Sequence, residues 1–193
     1  MKKPLKIAAY SGLVFLIVTV MSIIFPFGTL ASKIYLVIIA AVGIIFMSGF
    51  FVLGKKYKNK FLIVMTWIGI VTLIITLLFF LFPNTFISKE FLQSLESSGE
   101  PTPDQISLII KYSLLVWVIV AALLGLATIL FGVALLKIGK KIKYAKSAGI
   151  LNIVAGATFV IFIGFLVILA ANVLEILLLF EASEKFESER KKR

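Results

Sequence analysis

The chain has no cysteine and no histidine. The first absence excludes disulfides and thiolate metal sites, and the second excludes imidazole ligands. Together they remove every dyad or triad built on a Cys nucleophile or a His base. Acid is also scarce: nine Asp and Glu stand against 20 Lys and Arg, for a net charge of +11. Charged residues make up only 15% of the 193 residues, and hydrophobic ones 61%. A soluble domain is about half apolar and about a quarter charged, so this composition belongs to the membrane class. Few Asn and Gln with much Lys and Ile fits a thermophile or an AT-rich genome.

What is there is a series of long apolar runs separated by short charged clusters. The runs are continuous, whereas a transmembrane β-barrel needs short alternating segments. They predict an all-α, polytopic helical membrane protein with one transmembrane domain over 1–193. The expected spans are 7–25, 34–54, 61–82, 108–136, 147–163 and 165–180. Lys2, Lys3 and Lys6 precede the first run in the manner of a signal peptide. A signal core is about 7–15 residues, and this run is longer, so it reads as an uncleaved helix. The polar stretch 83–107 is an acidic loop holding Glu90, Glu96, Glu100 and Asp104. Within it, Phe86, Ile87, Phe91, Leu92 and Leu95 have the spacing of a short interfacial helix. The tail, 182–193, alternates charges and reads as a solvated helix or a disordered end.

The last apolar stretch, 147–180, is too long for one crossing. At about 1.5 Å per residue its length is roughly 51 Å, against a hydrocarbon core of about 30 Å. Either it folds back near Gly164, giving six spans, or it spans once and lies down, giving five. Six spans put Glu175 near mid-bilayer, at several kcal/mol unless it is paired or protonated. A fold-back also leaves backbone groups at the turn that need partners.

A charge this positive would suggest nucleic acid in a soluble protein. Here the lysines sit beside spans and act as topology signals, so no nucleic-acid partner is expected. Lys55, Lys56, Lys58 and Lys60 form one turn, and Lys137, Lys140, Lys141, Lys143 and Lys146 a second. With the N-terminus in the cytoplasm, both turns and the first three lysines lie inside. Before the tail, whose five basic residues fall inside with six spans and outside with five, only Lys33, Lys89 and Lys111 fall outside, which places the N-terminus in the cytoplasm and the acidic loop outside. The location expected is the cell membrane, multi-pass. Lys55, Lys56, Lys58, Lys60, Lys140, Lys141 and Lys143 are candidate contacts for anionic lipid headgroups, a membrane-lipid interaction without chemistry.

Gly54-Lys55-Lys56-Tyr57-Lys58 is mirrored by Gly139-Lys140-Lys141-Ile142-Lys143, each between apolar runs. Gly43 and Gly49 precede the first turn, and Gly125 and Gly132 the second. Two ordinary hairpins obeying one charge rule account for the echo, as does a duplication of the kind found in transporters. The stretches Ala148-Gly149-Ile150-Leu151-Asn152-Ile153-Val154-Ala155-Gly156, Ile163-Gly164-Phe165-Leu166-Val167-Ile168-Leu169 and Leu177-Leu178-Leu179-Phe180 resemble the C-terminal part of a small archaeal and thermophile membrane family. That family is catalogued only as a domain of unknown function. The resemblance covers about two thirds of the chain and rests on Gly and aliphatic patterns. It implies a multi-pass membrane location and no assigned activity. The chain departs from the family pattern at Asn172 and Glu175.

Three residues are candidates for an intramembrane polar site: Asn152, Asn172 and Glu175. Ala148, Asn152, Gly156, Val160 and Gly164 recur every four residues and share one helix face, which reads as a packing seam or a polar lining. Asn172 and Glu175, three apart, face the same way. No phosphate loop, metal-ligand set or nucleophile elbow is present, so no catalytic residue, metal or cofactor is expected. Two functions are open. One is a non-enzymatic subunit, scaffold or envelope component acting through helix packing and contact with a membrane partner or a second copy of itself. The other is a small oligomeric transporter or channel-like protein using Glu175 and Asn172.

Overall fold

The structure, a computed structural model, describes residues 2–24, 29–82, 103–161 and 163–191. Among the described residues six α-helices follow one another: α1 (Lys2–Ile24), α2 (Thr29–Lys56), α3 (Lys60–Leu81), α4 (Pro103–Leu136), α5 (Lys143–Ala157) and α6 (Ile163–Lys191). A 3-10 turn, Phe159–Ile161, joins the last two. Among the described residues there is no strand. α1 and α3 stop just short of Pro26 and Pro83, residues that break a helix interior. α4 opens on Pro103, whose missing N–H is no loss in a first turn.

Helices α1, α2, α3, α4 and α6 are each long and apolar enough to cross a membrane. The chain is therefore a polytopic helical membrane protein. Each helix packs on the next, and α6 returns to α1, so the six close a ring. Tyr10 of α1 meets Phe180 of α6 edge to face at 5.2 Å.

The ring is tight at one end. Leu5, Phe50, Leu53, Leu62, Leu135, Ile138, Ile142, Leu178 and Leu179 are fully buried there in one cluster. Phe50 bridges Phe46 and Phe131 by edge contacts at 5.4 and 5.2 Å. The start of α1, both lysine turns and the end of α6 share this end, called here the basic end. Elsewhere the outer faces carry exposed Ile75, Leu114, Leu123 and Leu166, the surface that lipid covers in a membrane. Lipid tails are as apolar as Leu, so packing rather than exclusion of water joins these helices.

The stretch 147–180 is not one helix. Its arms run antiparallel about a break that follows Ala157, with Asn152 opposite Glu175 and Ala155 opposite Gly164. Three N–H groups about the turn find acceptors within it. Thr158 N–H donates to Val154 O at 3.0 Å, Ile161 N–H to Thr158 O at 3.2 Å, and Gly164 N–H to Thr158 O at 3.1 Å. Helix α5 begins at Lys143, four residues before the expected start, inside the second lysine turn. The tail does not separate from the last span. Helix α6 runs unbroken to Lys191, with Ala182, Ser183 and Phe186 buried, because its apolar spacing continues into the core of the basic end. The interfacial helix read over 86–95 lies outside the described residues.

Candidate functional site

Helix α5 holds the site because its two sides pack on different partners. Toward α4 the seam is glycine on glycine. A Cβ on Gly125 would lie 2.5 Å from the Gly156 carbonyl oxygen, and one on Gly132 would lie 2.5 Å from that of Gly149. The two pairs are seven residues apart on each helix, about two turns, so the backbones touch twice along one antiparallel line. Of the four-residue seam, Ala148, Asn152, Gly156 and Gly164 are buried, and Val160 is exposed. The α-helical period ends at Thr158, and the tighter 3-10 turn swings Val160 outward.

Toward α6 the contact is polar. Asn152 Nδ2 donates to Glu175 Oε1 at 2.6 Å and to its own helix at Ala148 O at 3.0 Å. The two side chains are 2% and 3% exposed. A buried carboxylate needs a partner, and the amide supplies one. Among the described residues no Lys or Arg pairs with Glu175. Asn172, one turn earlier on α6, is half-buried and outside this pair. The structure thus joins Asn152 to Glu175 rather than Asn172 to Glu175.

A second rung ties the same two helices nearer the basic end. Ile142, which precedes α5, offers no side-chain cap. Glu181 of α6 supplies one from 38 residues away. Its Oε1 accepts from Lys143 N–H at 2.9 Å and its Oε2 from Tyr144 N–H at 3.2 Å. A carboxylate there satisfies orphan donors and faces the positive end of the α5 dipole. Asn59 makes a further tie between helices. It caps α3 by accepting from Leu62 N–H at 3.1 Å, and its Nδ2 donates to Ala134 O at 2.9 Å, tying α3 to α4. Asn before an apolar run was a readable cap signal; its reach to α4 was not.

The seven candidate lipid-contact lysines are all exposed. Several also serve the fold. Lys56 Nζ lies 3.1 Å from Glu189 Oε2 and 5.0 Å from the centre of the Phe186 ring. Lys55 lies over Phe51 at 4.4 Å and Lys141 over Tyr57 at 5.2 Å. The Tyr57 phenol is pushed above its ordinary value, first by burial and then by Glu189 and Glu181. No group of three or more His, Cys, Asp or Glu able to hold a metal occurs among the described residues.

Fold and site together define a multi-pass helical membrane protein with one amide–carboxylate pair between its last two helices. No protein-family model, curated protein or solved structure matches the chain.

Proposed function

We propose that the chain is a non-enzymatic protein of the cell membrane, a subunit, scaffold or envelope component that works by packing and by contact with membrane partners or a second copy of itself. The observation that carries this reading is the Asn152–Glu175 pair. Glu175 is the one carboxylate within the apolar runs, and its partner lies inside the α5–α6 packing. Gly156, on the face a partner would need, is occupied internally by Gly125. Partner contact then falls to the exposed apolar faces, such as Leu115, Ile119 and Leu123 on α4.

The basic end faces the cytoplasm in this reading. It gathers both lysine turns and the N-terminus, which is the side that positive charge selects. With the end of α6 on the same side, the crossings number six, α5 being the short one. Its exposed lysines meet anionic headgroups there. The family resemblance stays within the reading, since it implies a multi-pass location and no activity.

The test is size and company in the membrane. The protein extracted in mild detergent or native nanodiscs is expected to run with a stable partner or as an oligomer. A monomer alone under all such conditions overturns the reading. A second reading, an oligomeric transporter, is favoured by one observation: a buried carboxylate without a basic partner among the described residues. It requires that Glu175→Gln abolish flux in reconstituted vesicles while the fold persists.

A further inference from the structure

Beyond Phe180, helix α6 continues past the apolar runs and lies across both lysine turns, with Ala182 and Phe186 still in the core of the basic end. Three polar contacts fix it there. Glu181 caps the first turn of α5. Lys185 Nζ donates to Lys141 O, in the link between α4 and α5, at 2.6 Å. Glu189 pairs with Lys56, at the end of α2. Phe186, on the same segment, is buried with its ring 6.0 Å from that of Tyr57, in the first turn. Tyr57 in turn sits under Lys141 of the second turn. The segment therefore touches both turns at once.

The turns have reason to separate. They carry Lys55, Lys56, Lys58, Lys60, Lys137, Lys140, Lys141, Lys143 and Lys146 at one end of the bundle. Like charges at short range repel, most strongly at low salt. Among the described residues the polar and cation–π ties between the two turns and the helix ends beside them include Asn59 to Ala134, Lys137 over Phe61 and Lys141 over Tyr57. The carboxylates of Glu181 and Glu189 lie on the segment that spans them.

We propose that residues 181–191 form a strap that holds the two lysine turns together against their own repulsion, and that this strap releases without dismantling the membrane ring. The segment is a conformational device: seated, it sets the spacing of the basic face; released, it lets the α2–α3 and α4–α5 hairpins move apart at that end. Its attachment combines these polar contacts with the Phe186 wedge and the buried Ala182, whereas the rest of the ring is held mainly by apolar packing. The two can therefore part separately.

The test is a distance. The chain has no native Cys, so Val64→Cys and Ser147→Cys, both exposed and uncharged, accept spin labels near the two turns. Ile75→Cys with Ile119→Cys, both exposed, reports on the rest of the ring. In nanodiscs the 64–147 pair is expected to give one narrow distribution. In the full-length Glu181→Gln, Glu184→Gln, Glu189→Gln variant it is expected to shift to longer distances and broaden, more at low salt than at high. A chain ending at Phe180 is expected to do the same. The 75–119 pair stays unchanged in each. An unchanged 64–147 distribution in both variants overturns the strap. So does a 75–119 pair that broadens with it, since the segment would then be part of the ring. A shift without salt dependence overturns the role of repulsion.

Discussion

Gly132 and Gly149 lie face to face across α4 and α5, each where a Cβ would meet the other's carbonyl oxygen at 2.5–2.8 Å. Backbone is the neighbour here, and backbone yields less than a side-chain tip. Gly149→Ala is therefore expected to destabilise by about 1–3 kcal/mol, the range for overpacking a filled interface. Gly125 and Gly156 repeat the geometry two turns away. Gly156→Leu is expected to be the more severe change. Unfolding by a denaturing detergent, followed by helix content, measures both.

Asn152 and Glu175 are expected to behave as a unit. Asn152→Leu leaves the buried carboxyl without its donor and is expected to lower stability by about 1–3 kcal/mol. Adding Glu175→Leu removes the stranded group, so the double variant should be more stable than the Asn152→Leu single. A double-mutant cycle reads this coupling. Additive losses would mean that the 2.6 Å contact contributes little.

Glu181→Ala removes the side-chain cap at the N-terminus of α5, where Ile142 offers none. Loss of a helix cap costs about 1 kcal/mol. Faster amide exchange confined to the first turn of α5 is the expected signature, with α4 unaffected.

Lys58 has a φ of 54°, the left-handed region, in the middle of the three-residue link between α2 and α3. Asn59 N–H bonds back to Gly54 O at 2.9 Å across it. Glycine takes this conformation without the side-chain clash. Lys58→Gly is expected to gain up to about 1 kcal/mol, the clash relieved less the added freedom of the unfolded chain. A loss in thermal stability would contradict this.

The raised Tyr57 phenol has a signed consequence. As pH climbs past the ordinary value of 10.0, the unfolded chain ionises first while the folded phenol stays neutral. The folded state then binds more protons, so stability falls with rising pH until the folded phenol ionises too. Comparing wild type with Tyr57→Phe above that value isolates the effect. The variant is expected to lose less stability over the same window.

Much of this architecture was readable before any coordinates. The apolar runs gave the helices because each run is long, continuous and bounded by proline or lysine. Asn152 and Glu175 are both candidates for the polar site, but the spacing sets Asn152 on the packing seam and pairs Glu175 with Asn172. A fold-back near Gly164 makes 152 and 175 nearly mirror positions, so the pairing was one counting step away. Glu181 gave no such signal. It reads as the first charge of a solvated tail, and only the hairpin's closure brings it to Lys143. The same holds for Phe186, whose burial depends on where Tyr57 ends up. Local periodicity places residues on faces; contacts across 38 residues depend on the turn between them.

Helix α5 has 15 residues. Its rise is about 22 Å, and the 3-10 turn adds about 6 Å. Lipid beside its outer face, where Ile150, Val154 and Ile161 are exposed, meets a wall shorter than the one on the opposite side of the ring. A bilayer accommodates such a step by thinning there, at an elastic cost that grows with its own thickness. The protein therefore carries a built-in asymmetry of shape. Thicker membranes strain against one flank, so bilayer composition becomes a mechanical load on the hairpin that holds Asn152 and Glu175.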